Sequence, residues 1–371
     1  MKKTKIIEII ESLSDGGAQS IVKDYATLID KEKFDIVIFT IYPCTYSANY
    51  KQVEASGVEV FSVYENYNFF SKIINRVFKK QYITRKLRSF LLSYRPNVIH
   101  VHSVMLKYLA PSSSIIKGCN VFYTCHSLPH RYFGEGHKDE FKAAKVLIKN
   151  NKMCFIGLHE KMRVELNKIF NVNNTIVLKN GVDFSRFSNI NESKAEIRHS
   201  IGIEEDSFLI GHVGRFADMK NQTFLVDVFR IVSKYKVNAR LLLIGDGELL
   251  GDIKAKVEKL GLQQKVFFLS HRTDIPRLLK AMDVFVFPSI YEGLPVSIVE
   301  SQIAGVRTIT SDNVTNECFY KPLLIPLKLS YGADVWAKTI LDTSITGPYD
   351  RDIKEFDMSE VVKKLEKMYK N

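Results

Sequence analysis

The 371-residue chain has no apolar run long enough to cross a bilayer, so a membrane-spanning class is not favoured. It has no C-x-x-C pair, and its five cysteines (Cys44, Cys119, Cys125, Cys154 and Cys318) are odd in number. That argues against a disulfide framework and for free thiols in a reducing cytoplasm. No signal peptide is expected either. Lys2, Lys3 and Lys5 precede an apolar stretch, but Glu8 and Glu11 interrupt it where a leader must be uncharged, so it reads as a first β-strand. Internal repeats and low-complexity tracts are lacking. Negative charge is missing from one long segment: Asn66 to Gly134 contains no acidic residue, while Lys72, Arg76, Lys79, Lys80, Arg85, Lys86, Arg88, Arg95, Lys107, Lys117 and Arg131 run through it.

What is present is ordinary in bulk and uneven in distribution. Hydrophobic residues make up 46% and charged residues 25%, which fits a globular protein rather than a disordered one. The length suggests two domains. Residues 1–190 hold 28 Lys and Arg against 16 Asp and Glu, whereas residues 191–371 hold 25 of each. The whole excess of +12 therefore lies in the first half, whose partners should be anionic. In Asn68–Tyr94 the cations Lys72, Arg76, Lys79, Lys80, Arg85, Lys86 and Arg88 interleave with Phe69, Phe70, Ile73, Ile74, Val77, Phe78, Ile83, Leu87 and Leu91, as in a basic amphipathic helix or helix pair. Two readings fit it: a core-packing helix with a solvated basic face, or docking on an anionic membrane surface. Nucleic acid is not expected, because no RNP, zinc-finger or helix-turn-helix pattern accompanies the charge.

Strand-like runs alternate with helical patterns from end to end: Ile6–Ile10, Ile36–Phe39, Val58–Val63, Val98–Val101, Val121–Thr124 and Cys154–Gly157, then Phe208–Val213, Arg240–Ile244, Val266–Leu269, Val284–Phe287, Thr308–Thr310 and Leu323–Ile325. Alternation at this spacing predicts parallel sheets of βαβ units, buried on both faces. The break is expected near Asn180-Gly181-Val182-Asp183, a turn signal after the strand Ile176–Leu178, and Phe356–Tyr369 is expected to be helical.

Candidate functional residues cluster where strands end. Glu292 and Glu300, eight positions apart, straddle the passage from the strand Asp283–Phe287 through Pro288, Gly293 and Pro295 into a helix carrying Val296, Val299 and Ile303. One carboxylate on the loop and one on the helix suit two hydroxyl-bearing parts of a ligand in an α/β crevice. Arg215 and Lys220 follow the strand Phe208–Val213. A planar fork and a mobile point charge there suit a diphosphate, although each taken singly is more often a solvated surface cation. Gly16 and Gly17 stand between the first strand and a helix carrying Ile21, Val22, Tyr25 and Ala26, where backbone N–H groups can approach a phosphate. The pair lacks G-x-G-x-x-G, and a plain tight turn explains it about as well. His100 and His102 alternate on a strand with no third ligand in view, so no metal site is expected.

Gly214-Arg215-Phe216 with Lys220-Asn221, Leu243–Glu248, the Glu292 to Glu300 spacing and Asn180–Phe187 together resemble the family 4 retaining glycosyltransferases. The order matches over nearly the whole chain and most strongly from about 205 to 305. Gly16–Gln19 and Thr124–Ser127 fit the acceptor-side domain. The resemblance implies an α/β GT-B fold, two Rossmann-like parallel-sheet domains facing across a cleft. It divides the chain into an acceptor-side domain at 1–185, a nucleotide-sugar-binding domain at 186–350 and a C-terminal helix at 351–371 that packs back on the first domain.

The same resemblance assigns roles. Arg215 and Lys220 would hold the donor diphosphate, Glu300 the ribose, and Glu292 with the backbone of Gly293 and Leu294 the transferred sugar. Gly16 and Gly17 would approach the diphosphate from the other domain, and His126 would touch the sugar at the reaction centre. Arg272 lies in the donor-side loop Ser270–Pro276, where many members carry glycine at the position of Ser270 or His271, so backbone contacts to the nucleobase are in doubt. Ser311–Glu317 likewise replaces a glycine-rich loop. The form of that loop, with Lys280–Asp283 and Tyr291–Pro295, is similar to the capsule and exopolysaccharide branch. The expected reaction is transfer from a nucleotide-sugar, a UDP-sugar, to a lipid-linked saccharide, with no cofactor or bound metal. The expected location is cytoplasmic, peripheral on the inner face of the cell membrane. A GT-B nucleotide-sugar epimerase and a catalytically silent membrane- or partner-binding relative are the rival readings.

Overall fold

The computed structural model describes residues 2–64 and 78–370. They form two compact units, one of Met1–Gly181 with Met358–Asn371 and the other of Val182–Asp357.

The first unit is built on seven strands: β1 (Thr4–Ile10), β2 (Phe34–Thr40), β3 (Glu59–Ser62), β4 (Val98–His102), β5 (Asn120–Thr124), β6 (Cys154–Gly157) and β7 (Thr175–Val177). All pair in parallel, in the order β3-β2-β1-β4-β5-β6-β7. β1 shows why the sequence folds this way. Ile6, Ile7, Ile9 and Ile10 are fully buried, because a parallel sheet under crossover helices has no wet face and its strands read as continuous apolar runs. The helix Lys79–Tyr94 buries Ile83, Leu87 and Leu91, one side at helical spacing.

The C-terminal helix Met358–Lys370 belongs to this same unit and buries Met358, Val361, Val362, Leu365 and Tyr369. Its Glu366 accepts from the backbone N–H of Asp30 at 2.8 Å, and the Tyr369 ring meets Phe34 edge-on. Gly181 allows the chain to pass close beneath it, since a Cβ there would lie 2.8 Å from Met358 Cα.

The second unit has six strands: β8 (Phe208–Val213), β9 (Ala239–Ile244), β10 (Val266–Leu269), β11 (Val284–Phe287), β12 (Arg307–Ser311) and β13 (Leu324–Leu327). The order is β10-β9-β8-β11-β12-β13, again parallel throughout. The core is Leu225, Val228, Phe229 and Val232 of the helix Gln222–Tyr235, packed on Leu241, Leu243, Val284 and Val286, with Trp336 from a later helix. In both units the chain winds outward from the first strand in one direction and then restarts on its other side. That leaves one switch point per sheet, between β1 and β4 and between β8 and β11, where neighbouring loops diverge and leave room for a ligand.

Candidate active site

The second unit places its charged candidates at the carboxyl ends of β8 and β11, the two strands that flank the switch point. Gly214–Asn221 leaves β8 and Pro288–Pro295 leaves β11. The two loops are sewn together: the N–H of Ile290 donates to Met219 O at 2.8 Å, and the Asn221 side-chain amide donates to Pro288 O at 3.2 Å. Lys220 Nζ meets Glu292 Oε1 at 2.7 Å, with only 15% and 7% of the two side chains exposed, and Nζ also lies 4.7 Å above the Phe287 ring. Gly214 makes room for this lysine, since a Cβ there would stand 3.3 Å from its Cδ and Cε.

Beneath the first loop lies a support that sequence reading missed. His212 is fully buried on β8 and bonds Val286 O through Nδ1 at 2.9 Å. The Gln222 amide donates to Arg215 O at 2.8 Å and lies 3.3 Å from His212 Nε2. Burial lowers the His212 pKa to about 4, so the ring is neutral and serves as a fixed post. From the other side, Gly245 and Gly247 press their backbone against Gly214 and Phe216. A Cβ on Gly245, at φ 141°, would fall 2.3 Å from Gly214 O. A Gly-x-Gly spacing after a strand was the available signal for this close approach.

The other donor-side candidates stand near by with different partners. Arg215 is largely exposed and pairs with Glu248 at 3.0 Å. Glu300, inside the helix Val296–Ile303, lies 3.8 Å from Arg186, whose guanidinium also donates to Thr273 O at 2.8 Å. Arg186 stands in the Asn180–Phe187 motif but was not singled out. Gly293 and Leu294 are buried beside Glu292. Arg272 grips Asp274 through two bonds of 2.7 Å beyond the edge strand β10, and no contact joins it to the Lys220–Glu292 pair among the described residues.

In the first unit, Gly16 is the N-cap of the helix Gly17–Leu28, and a Cβ on Gly17 would meet nothing within 4 Å. A Cβ on Gly16, by contrast, would fall 2.4 Å from Gln19 Oε1. His126 follows β5, with Nε2 2.8 Å from His102 Nδ1. Sequence reading set His100 and His102 aside for want of a third ligand. The structure supplies one in Glu8, which pairs in register with His100 across β1 and β4. Glu8, His100 and His102 bring ligand atoms within 4.8 Å of one another, so the donor set is suited to a cation. Each of the three is also joined by hydrogen bonds within the protein. Burial alone would raise the Glu8 pKa, but the interactions with His100 and His102 outweigh it and hold the carboxyl well below its ordinary value.

Of the basic candidates, Lys72 and Arg76 lie outside the described residues. Lys80, Arg85, Lys86 and Arg88 are exposed on the helix Lys79–Tyr94, and so is Leu92. Lys80 pairs with Asp139, and Lys79 reaches Tyr42. Among the described residues no helix is long and apolar enough to cross a membrane.

Residues 15–186 match the model of "Glycosyltransferase Family 4", and residues 193–318 match that of "Glycosyl transferases group 1". The chain is 28% identical to the putative glycosyltransferase EpsF of Bacillus subtilis, over 95% of its own length and 91% of the relative's. It is 35% identical to the Escherichia coli UDP-Gal:alpha-D-GlcNAc-diphosphoundecaprenol alpha-1,3-galactosyltransferase, over 39% of its own length and 38% of the relative's. Its fold matches Anabaena HepE, solved in complex with UDP and glucose, at a TM-score of 0.79, 17% identity, and coverage of 99% of this chain and 100% of that one.

Proposed function

The chain belongs to the family 4 glycosyltransferases and has their GT-B fold, and we propose that it moves a sugar from a UDP-sugar, with retained configuration, onto a lipid-diphosphate-linked saccharide in the assembly of a capsule or exopolysaccharide. The observation that carries this is the Lys220–Glu292 pair at the sheet's switch point, where a mobile cation and a carboxylate share one small volume. Arg215 and Lys220 hold the diphosphate. As the bond from the sugar's anomeric carbon to the phosphate oxygen breaks, negative charge gathers on the leaving group, and fixed cations there lower the barrier. Glu292 binds a hydroxyl of the transferred sugar, Gly293 and Leu294 line it, and Glu300, steadied by Arg186, takes the ribose. His126, Gly16 and Gly17 are the first unit's own candidates for donor contact, and in the second unit Arg272 belongs to the loop assigned to the base.

Retention follows from attack on the same face that the leaving group departs. The acceptor oxygen bonds to the anomeric carbon while its proton passes to the departing phosphate oxygen. This needs no protein nucleophile, and Glu292 is engaged with Lys220. The UDP donor is supported by the ligand of the HepE structure and by the donor named for the Escherichia coli galactosyltransferase, and the lipid diphosphate acceptor by the latter's name. The exposed cations Lys80, Arg85, Lys86 and Arg88 support docking on an anionic membrane face.

A panel of nucleotide-sugars scored by nucleotide release tests the reaction. Lys220→Ala and Glu292→Ala should each abolish turnover of whichever donor is active, and full activity in either overturns the site. Flotation with anionic liposomes tests docking. Binding should weaken with salt and with neutralisation of Arg85, Lys86 and Arg88, and no binding at low salt ends that part of the reading.

A further inference from the structure

The first unit holds an open cavity of about 380 Å³ that the transfer step above does not use. A space of that size falls within the range usual for small-molecule sites, about 300–1,000 Å³. Lysines dominate its wall. Lys79 and Lys80 begin the helix Lys79–Tyr94, Lys138 begins the helix Lys138–Asn151, and Lys107 stands in the short helix Leu106–Leu109 after β4. Helices that follow parallel strands start at the strands' carboxyl ends, so the cavity lies at the edge of the sheet that also carries the Gly16–Gly17 turn. Contacts lead from one toward the other: the backbone N–H of Tyr42 donates to Glu11 O at 3.1 Å, and Lys79 Nζ donates to the Tyr42 hydroxyl at 3.0 Å.

The charges on this wall do not balance. Two carboxylates share it with the lysines. Asp139 pairs with Lys80 at 2.7 Å, and Glu140 stands 3.5 Å from the Lys107 ammonium while accepting from the backbone N–H of Leu106 at 2.9 Å. Among the described residues no ion pair joins Lys79 or Lys138 to a carboxylate. Four ammoniums against two carboxylates leave an excess of two positive charges, before any charge on His137, which also lines the cavity. Lys79 is moreover half-buried, with a phenol as its acceptor and the Tyr42 ring centred 5.5 Å from its ammonium. An ammonium drawn out of water without a counter-charge is costly, and an anion in the cavity relieves that cost. The diphosphate diester of a lipid-linked saccharide carries one negative charge on each phosphorus, which matches the excess.

We propose that this cavity binds the diphosphate of the lipid-linked acceptor, with Lys79 and Lys138 as its counter-charges. The identity of the ligand rests on the acceptor inferred above, whereas the anion site stands on the cavity and its unbalanced lysines. One consequence concerns the membrane. The exposed cations Arg85, Lys86 and Arg88 continue along the helix that Lys79 begins, so docking and capture of the acceptor share one element.

The test is calorimetry on the full chain at low salt and without membranes, with a short-chain prenyl diphosphate N-acetylglucosamine as a water-soluble probe. The probe should bind, and saturating UDP should not displace it. Lys79→Met and Lys138→Gln should each weaken binding roughly ten-fold, the effect of losing one hydrogen bond to a charged group. Lys149→Gln removes an equal charge from the last turn of the same helix as Lys138 and should leave the affinity unchanged. No binding of the probe overturns the proposal. So does displacement by UDP, which would assign the diphosphate to the donor site, and so does equal weakening by Lys149→Gln, which would reduce the effect to general surface charge. Binding to phosphatidylglycerol vesicles without binding of the soluble probe overturns it too, because the phosphate recognised would then be a membrane headgroup. Should Lys79→Met fail to fold, Lys138→Gln decides, since that side chain is exposed. Binding of UDP alone is measured separately. If UDP does not bind, the glycosyltransferase reading falls, while the probe still judges the anion site.

Discussion

Replacing Lys220 with methionine keeps most of the aliphatic stem and removes the ammonium that lies over the Phe287 ring. The ammonium and the Glu292 carboxylate are 2.7 Å apart and mostly enclosed. At an effective dielectric of about 20, unit charges at that distance attract by about 6 kcal/mol before the cost of desolvating both. Removing one partner leaves the other charge stranded, which typically costs about 3–5 kcal/mol in a buried setting, and the partial exposure of Lys220 puts the expectation at the lower end. Trp336 gives a direct readout: it is the one tryptophan in the chain and is fully buried in the second unit, so its fluorescence in a denaturant titration follows that unit alone. Lys220→Met should lower the midpoint strongly. Adding Glu292→Gln should restore part of the loss, with a coupling between the sites of about 0.5–3 kcal/mol. Catalysis should move separately, because a cation lost from beside a developing oxyanion costs about 10²–10³ in kcat. Additive stabilities would refute the energetic pairing, and undiminished nucleotide release by Lys220→Met would refute the assigned role.

Two further outcomes follow from the structure. Glu140 is buried, accepts from the backbone N–H of Leu106 at 2.9 Å, and has its pKa raised to about 7 by burial against the pull of Lys107. The folded state therefore holds that proton more tightly than the unfolded state, so the stabilisation is complete below the ordinary value of 4.5 and is lost as pH rises through about 7. Glu140→Gln should flatten this decline in calorimetric melting, and an unchanged slope would show that another group is responsible. Gly245→Ala should destabilise the second unit by about 1–3 kcal/mol for the backbone conformation alone, and by more for the clash with Gly214 O. Trp336 fluorescence reads that loss, and no change would mean the loop relaxes freely.

Legibility from sequence followed the range of the interaction. Strand positions such as Cys154–Gly157, Phe208–Val213 and Val284–Phe287 coincide with their expected spans, because apolar runs punctuated by Gly and Pro are local signals. The placement of Arg215, Lys220 and Glu292 at strand exits, and of Glu300 in the helix that follows, was likewise readable. Their partners were not: Lys220 and Glu292 are 72 positions apart, and the choice of Glu248 for Arg215 and Arg186 for Glu300 depends on which loops the sheet order makes neighbours.

Glu8 marks the divide most clearly. By itself the sequence determined that the first segment is a strand and that a carboxylate interrupts its apolar run. Only the tertiary structure decided that this carboxylate is buried between His102 and the hydroxyl of Tyr369, 361 positions away. Periodicity within a segment sets which way side chains point, since it is repeated every few residues. What they meet is set by the winding of strands around β1 and by a C-terminal helix returning to the first unit, and no window of sequence contains that information.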